Sequence, residues 1–297
     1  MFFRTDLALE LKEGGQSELS DVPCKIKEKD RCKISHITVP CHIKDTGMAP
    51  GEYITIEMPP LSDALDENNQ FLQVVSDEIK PFLPENGEVL VAGLGNAAIT
   101  PDALGEKVIA QILATRHVKK ELERITGISE LRSVAAVSTD VLGNTGMETA
   151  EILKGIVDNV KPKLVIVIDS LASRSMERIS STIQLADTGI VPGAGVDNAR
   201  KELTVNTLGV PVIALGIPTV VETAVVVNDC LDVFIEKLQE KAESNEYLNK
   251  LKEEDNYLEI KEALIPKDFN FIVTPKEIDS LVENMKDVVA RGINMSL

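Results

Sequence analysis

Tryptophan is absent from the chain, histidine occurs three times, and aromatic residues fill only 3% of its 297 positions. That scarcity argues against base-stacking platforms and aromatic carbohydrate clefts. Positive charge is also short: 31 basic residues face 48 acidic ones, for a net charge of −17. Phosphate backbones would be repelled, so direct nucleic-acid binding is not expected. Cysteine is limited to Cys24, Cys32, Cys41 and Cys230, without a disulfide framework or a Cys-x-x-Cys pair. Cys24, Cys32, His36, Cys41 and His42 are metal-ligand types, but their spacing fits no zinc pattern, so no metal is predicted. No run reaches the roughly 20 apolar residues of a membrane helix. Phe2 and Phe3 are followed by Arg4, Asp6, Glu10, Lys12 and Glu13, so no apolar signal core is evident. These absences predict a cytoplasmic chain in a reducing compartment, with no membrane partner.

What is present is hydrophobic content of 43%, enough for a substantial core. Residues 1–32 read as polar and irregular. Residues 33–60 read as a β-rich section in which Lys33–Val39 and Tyr53–Glu57 alternate. A helix is expected within Asp66–Phe82. Strands then follow at 88–93, 133–138, 163–169 and 211–216, with helices near 102–125, 146–160 and 171–185. Val220–Val227 fits either a strand or a buried helix start. Short apolar strands separated by helices imply a three-layer α/β/α fold with a mostly parallel central sheet. The tail reads as helical over Asp229–Lys252, breaks at Glu253–Asn256, and ends in a helix with Thr274 as cap, Pro275 first and Glu277 completing a capping box. One domain spanning 1–297 accommodates all of this.

The densest signal is Gly93-Leu-Gly-Asn-Ala-Ala-Ile-Thr-Pro-Asp-Ala-Leu-Gly105, directly after the apolar run Val89–Ala92. It reads as a buried strand, a glycine turn and a helix start, with Thr100 as N-cap and Pro101 at the first position. Asp102 then lies at the positive end of a helix, beside a strand's carboxyl end. Open α/β sheets place their active sites there. Asp169 ends a second buried strand, Leu164–Ile168. Side by side, two carboxylates hold protons unequally: one activates water and the other donates to a carbonyl or leaving amine. The helix dipole favours an ionised Asp102, and desolvation a protonated Asp169. The bland readings are a first-turn acid at Asp102 and an ion pair of Asp169 with Arg174 or Arg178.

Three other features invite function. Gly93-x-Gly95-x-x-Ala98 matches a dinucleotide fingerprint, but the helix starts late and no acid closes a second strand at the required distance. Thr182–Val196 reads as a long ordered loop, functional or a plain crossover. Arg200-Lys201 after it is placed to hold substrate carboxylates or carbonyls. His117 falls within the helix pattern after Asp102 and reads as solvated or capping.

These residues resemble the germination protease family, spore endopeptidases that degrade small acid-soluble spore proteins. The resemblance lies in Arg4-Thr-Asp-Leu-Ala8, Gly93-Leu-Gly-Asn, Thr100–Gly105, Ile168–Ser175, Asp187-Thr-Gly189, Pro192–Val196, Arg200–Leu203, Leu208–Val221 and Val273–Asp279. It runs from residue 4 to about 294. Glu106, Asp197 and Ala199 stand where the family pattern often has Pro, Gly and Lys. The resemblance implies a self-processing zymogen, often tetrameric, in the forespore and spore core. It implies an atypical aspartic-type endopeptidase whose acids fall on Asp102 and Asp169, with Asp187, Arg178 and Arg200 placing substrate and no cofactor. Its sheet would resemble that of hydrogenase maturation endopeptidases. Asp6-Leu-Ala-Leu-Glu10 is similar to the acid–apolar context at which the family cuts, so cleavage at Asp6–Leu7 is expected, with 1–6 a short pro-segment. The rivals are a Rossmann-like nucleotide-binding protein and a non-catalytic homologue.

Overall fold

The computed structural model describes residues 5–13, 18–44, 46, 48–59, 70–119, 125, 131–196, 199–241 and 271–297. In chain order the strands are β1 Cys24–Lys29, β2 Cys32–Val39, β3 Gly51–Glu57, β4 Val89–Gly93, β5 Val134–Ser138, β6 Leu164–Ser173, β7 Thr182–Ala186, β8 Val212–Glu222 and β9 Ile272–Val273. The helices are α1 Ala8–Glu13, α2 Gln70–Ile79, α3 Leu104–Ile109, α4 Leu142–Thr145, α5 Thr149–Val160, α6 Val205–Leu208, α7 Thr223–Lys241 and α8 Ile278–Ser296.

The strands form a single sheet in the order β1-β2-β3-β7-β8-β6-β4-β5, with β9 paired to the far end of β8. Its centre, β8-β6-β4-β5, is parallel. β7 runs antiparallel to β8, and β3 antiparallel to β7, so the N-terminal β-rich section extends the same sheet. Alternation along the central strands sends side chains to two apolar layers. Val89, Val91, Ile166, Ile168, Ile213 and Leu215 pack with α2, α3 and α8. Leu90, Ala92, Val165, Val167 and Val212 pack with α5 and α6. Each fully buried Val, Leu or Ile contributes about 1.5–3 kcal/mol. Buried on both faces, these strands read as continuous apolar runs.

Several sequence expectations are corrected. The helix expected at 171–185 does not form. β6 continues to Ser173, a 3-10 turn occupies Met176–Arg178, and Thr182–Ala186 is β7. The first third of the Thr182–Val196 "loop" is therefore a central strand. Residues 1–32 include α1 and β1. Over the expected helix 102–125, a 3-10 turn at Thr100–Asp102 leads into α3, residues 110–115 leave the helix, and 116–119 are helical again, with 120–124 outside the described residues; Ile99 rather than Thr100 precedes that turn. Thr274 does not cap the last helix; its hydroxyl donates to Thr219 O (2.9 Å), and Glu277 precedes Ile278 without a side-chain cap bond. Val220–Val227 is both alternatives in turn, β8 to Glu222 and α7 from Thr223. The break at Glu253–Asn256 lies outside the described residues. Among the described residues no helix is long and apolar enough to cross a membrane.

Candidate active site

β4 ends at Gly93, and Leu94 N–H donates to Ile168 O (2.9 Å), which ties the following turn to β6. Gly95 holds φ +99°, a region closed to most side chains, and a Cβ there would overlap Asp102 O. The turn folds back so that Asn96 N–H donates to both Asp102 Oδ2 (2.9 Å) and Asp102 O (3.1 Å). The Asn96 side chain in turn accepts from Ala98 N–H. A second tether comes from β8: Thr219, fully buried, donates its hydroxyl to Pro101 O (2.7 Å). The Gly-x-Gly-Asn and Thr-Pro-Asp elements are thus two sides of one frame around the Asp102 carboxylate.

Asp169 lies within β6, one residue past the point where β4 stops pairing, and is 6% exposed. Its Oδ1 accepts from Ser170 N–H (2.9 Å). Burial pushes its pKa well above the ordinary value, and the charges of Asp102 and Asp6 push it in the same direction. Asp102 is raised to about 6, by burial first and by repulsion from Asp140 and Glu106, against the Asn96 bond that lowers it. The helix dipole expected to keep Asp102 at a low pKa is outweighed by desolvation. The difference between the two acids survives: Asp102 ionises first and Asp169 keeps its proton.

Both acids line one cavity of about 650 Å³ at the carboxyl ends of β4, β6 and β5. Asp6, Asp140, Ser170 and Arg200 line it too, with Leu94, Ile99, Leu142, Leu171 and Val220 giving an apolar wall. Asp140 escaped the sequence reading, although it follows the end of β5 just as Asp169 follows an apolar run. It adopts φ +56°, and its carboxylate accepts from Val141 N–H (2.8 Å) and Asn144 Nδ2 (2.9 Å).

Of the residues expected to place substrate, only Arg200 reaches this cavity. Asp187 is exposed and accepts from Glu52 N–H (2.8 Å), joining the ends of β3 and β7. Arg178 faces a separate cavity of about 540 Å³, where it meets Glu13 (2.6 Å), Glu10 (3.5 Å) and Glu57 (3.6 Å). It anchors α1 to the β6–β7 connection. The dinucleotide reading also fails locally, because the Asn96 amide that a phosphate would need is occupied by Asp102. Among the described residues no cluster of three or more metal-ligating side chains is placed to hold an ion.

The processing-site residues sit where the sequence alone could not put them. Leu7 is fully buried, and Asp6 enters the cavity. Asp6 N–H donates to Ala172 O (3.1 Å), and Ala172 N–H donates to Asp6 Oδ2 (2.9 Å). Burial raises the Asp6 pKa to about 6, against hydrogen bonds from the Ala172 and Gly195 amides.

Fold and cavity define an α/β protein with carboxylates gathered in the crevice beyond parallel strands, where ligands of such sheets bind. The sequence pattern of one family, described as germination protease, matches residues 5–253 and 236–297. A germination protease of Caldanaerobacter subterraneus subsp. tengcongensis is 44% identical over 99% of this chain and 94% of its own length. Those of Clostridium acetobutylicum (43%; 99% and 94%) and Priestia megaterium (36%; 99% and 93%) are similar. Among solved structures, the [NiFe] hydrogenase maturation protease HycI of Thermococcus kodakarensis matches 49% of this chain and 80% of its own, at 18% identity and TM-score 0.31. The chain belongs to the germination protease family: it is a peptidase with a role in spore germination.

Proposed function

We propose that the chain is an atypical aspartic-type endopeptidase in which Asp102 and Asp169 activate water, made as a zymogen that cuts itself at Asp6–Leu7. The observation that carries this reading is the shared cavity: two raised carboxyls and the proposed processing-site acid lie in one crevice. Ionised Asp102 takes a proton from water as its oxygen adds to the scissile carbonyl. Protonated Asp169 donates to the carbonyl oxygen as negative charge develops there. The tetrahedral intermediate collapses, the C–N bond breaks, and the proton held by Asp102 passes to the leaving amine. Asp169 recovers its proton from the departing hydroxyl. One water is consumed, and a carboxyl and an amine are formed.

The proposed substrates are small acid-soluble spore proteins, as the family resemblance supports, and the proposed setting is the forespore and spore core, where the enzyme acts as a homo-oligomer. A net charge of −17 suits capture of such proteins free of DNA rather than on it. The test is intact-mass analysis of the purified chain at mildly acidic and neutral pH, beside Asp102→Asn and Asp169→Asn. Loss of Met1–Asp6 from the wild type alone, with both variants folded, is the expected result. Equal cutting by all three would move the chemistry elsewhere.

A further inference from the structure

We propose that the main-chain amides of Ala172 and Gly195 form the subsite for the acidic side chain that precedes a substrate's scissile bond, and that Asp6 is only its first occupant. This rests on the reaction proposed above and assigns the recognition elements of that site.

Three observations support it. First, β4 stops at Gly93 while β6 runs on to Ser173, so a stretch of β6 extends past its β4 neighbour. The N-terminal segment bonds there: Asp6 with Ala172 N–H and O, and the Glu10 carboxylate with Arg174 N–H (2.8 Å). Any extended peptide can make the main-chain part of that pairing. Second, the Asp6 carboxylate accepts from Ala172 N–H (2.9 Å) and lies against the Gly195 main chain, and among the described residues no cation is bound to it. Amide donors of this kind recognise a carboxylate without committing to the rest of the residue. A Cβ at Gly195 would overlap the Asp6 carboxyl group, so a larger residue here would push that carboxyl out of its present position. Third, Asp6 lies on the lining of two cavities, about 650 and 210 Å³, that also share Leu171. Loss of residues 1–6 removes one of the two side chains common to both, leaving Leu171. It frees a bound-peptide position beside Asp169, where the buried Ser170 hydroxyl has no hydrogen-bond partner among the described residues.

The processed chain beginning at Leu7 is the protein to test. It is obtained by self-cleavage or, if the intact chain does not cut itself, by removing a tag fused directly before Leu7. Calorimetry at pH 5 and at pH 7 follows binding of an amidated peptide of residues 1–6, beside forms with Asn or Ala in place of Asp6. Kinetics follow cutting of the corresponding peptides of residues 1–13. At pH 5 the Asp peptide should bind at least about tenfold more tightly than the Ala peptide, with the Asn peptide close to it. Toward pH 7, where the bound carboxyl is buried in its ionised form, the Asp peptide should lose ground to Asn, and kcat/KM should rank alike. Gly195→Ala should bind all three weakly and without preference. Binding of the three peptides within about twofold by the wild-type chain, or no binding at all, would overturn the subsite. Selective binding without cutting leaves the subsite standing and removes the proposed reaction. Cutting without selectivity does the reverse. If Gly195→Ala does not fold, the wild-type peptide series decides alone.

Discussion

Two groups of carboxylates flank the same N-terminal segment, and they are treated oppositely. On one side Glu10, Glu13 and Glu57 converge on the Arg178 guanidinium. On the other, Asp6, Asp102 and Asp169 share a cavity, and among the described residues main-chain amides and no guanidinium are bound to them. The first group is tied to a cation, which holds α1 in place and lowers the Glu10 pKa against the burial that raises it. The second is not, and its protons bind more tightly as a result. Unneutralised acids in a crevice cost stability, and their retention is a signature of chemistry rather than of architecture.

The sharpest test of that contrast is catalytic. Asp102→Asn and Asp169→Asn should each lower the rate of peptide cutting by about a thousandfold or more, in line with loss of a general acid or base. Asp187→Asn, which alters only a β3–β7 tie, should stay within about twofold, measured as kcat/KM on one peptide. The next effect falls on stability. Arg178→Met would leave Glu10, 6% exposed, without its counter-charge and should cost about 3 kcal/mol in denaturant unfolding at pH 7. The loss should shrink toward pH 4, where Glu10 takes up a proton.

In the unpaired group the raised pKa values act with no counter-charge to offset them. A carboxyl whose folded pKa lies above its unfolded value favours folding below that unfolded value. The benefit is lost as pH rises through the folded value. For Asp102 the window runs from 3.8 to about 6, and for Asp169 it extends higher. Asp169→Asn should therefore be more stable than wild type at pH 7 by about 1–3 kcal/mol, with the difference closing near pH 4. An Asp169→Asn variant less stable at pH 7 would remove the distinction between the two groups. The smallest effect is a matter of profile. kcat/KM should climb through an acidic limb near pH 6, as Asp102 ionises, and an absent limb would refute the roles given to the pair.

How much of this was legible in the sequence follows from the range of the interactions. β4, β5 and the start of β6 lie within a residue of their expected bounds, because β4 and β6, buried on both faces, announce themselves as apolar runs, and β5, half-buried at the sheet edge, is a short run of the same small apolar residues. Asp102 and Asp169 were found by the same logic, and Asp140 would have been had it been applied to β5. The segment 171–185 was misread because its fate is decided far away. Thr182–Ala186 pairs with Tyr53–Glu57, and all five of its residues are buried, which hides any alternation. Arg178 lay within the resemblance, yet its partners come from α1 and β3. Asp6 was chosen for its scissile context, whereas its place in the cavity depends on Ala172, 166 positions later. The two threonines read as caps failed for another reason: Thr274 spends its hydroxyl on Thr219, and Thr100 sits inside a 3-10 turn.

The turn at Asn96 has one more consequence. In many α/β proteins a glycine turn of this kind stays open to a phosphate supplied from solution. Here a side chain six residues away already fills that role. The protein has plugged its own anion hole, so millimolar phosphate or nucleotide should leave both its melting temperature and its turnover unchanged. A germinating cell's shifting pool of small anions would then be no brake on this enzyme.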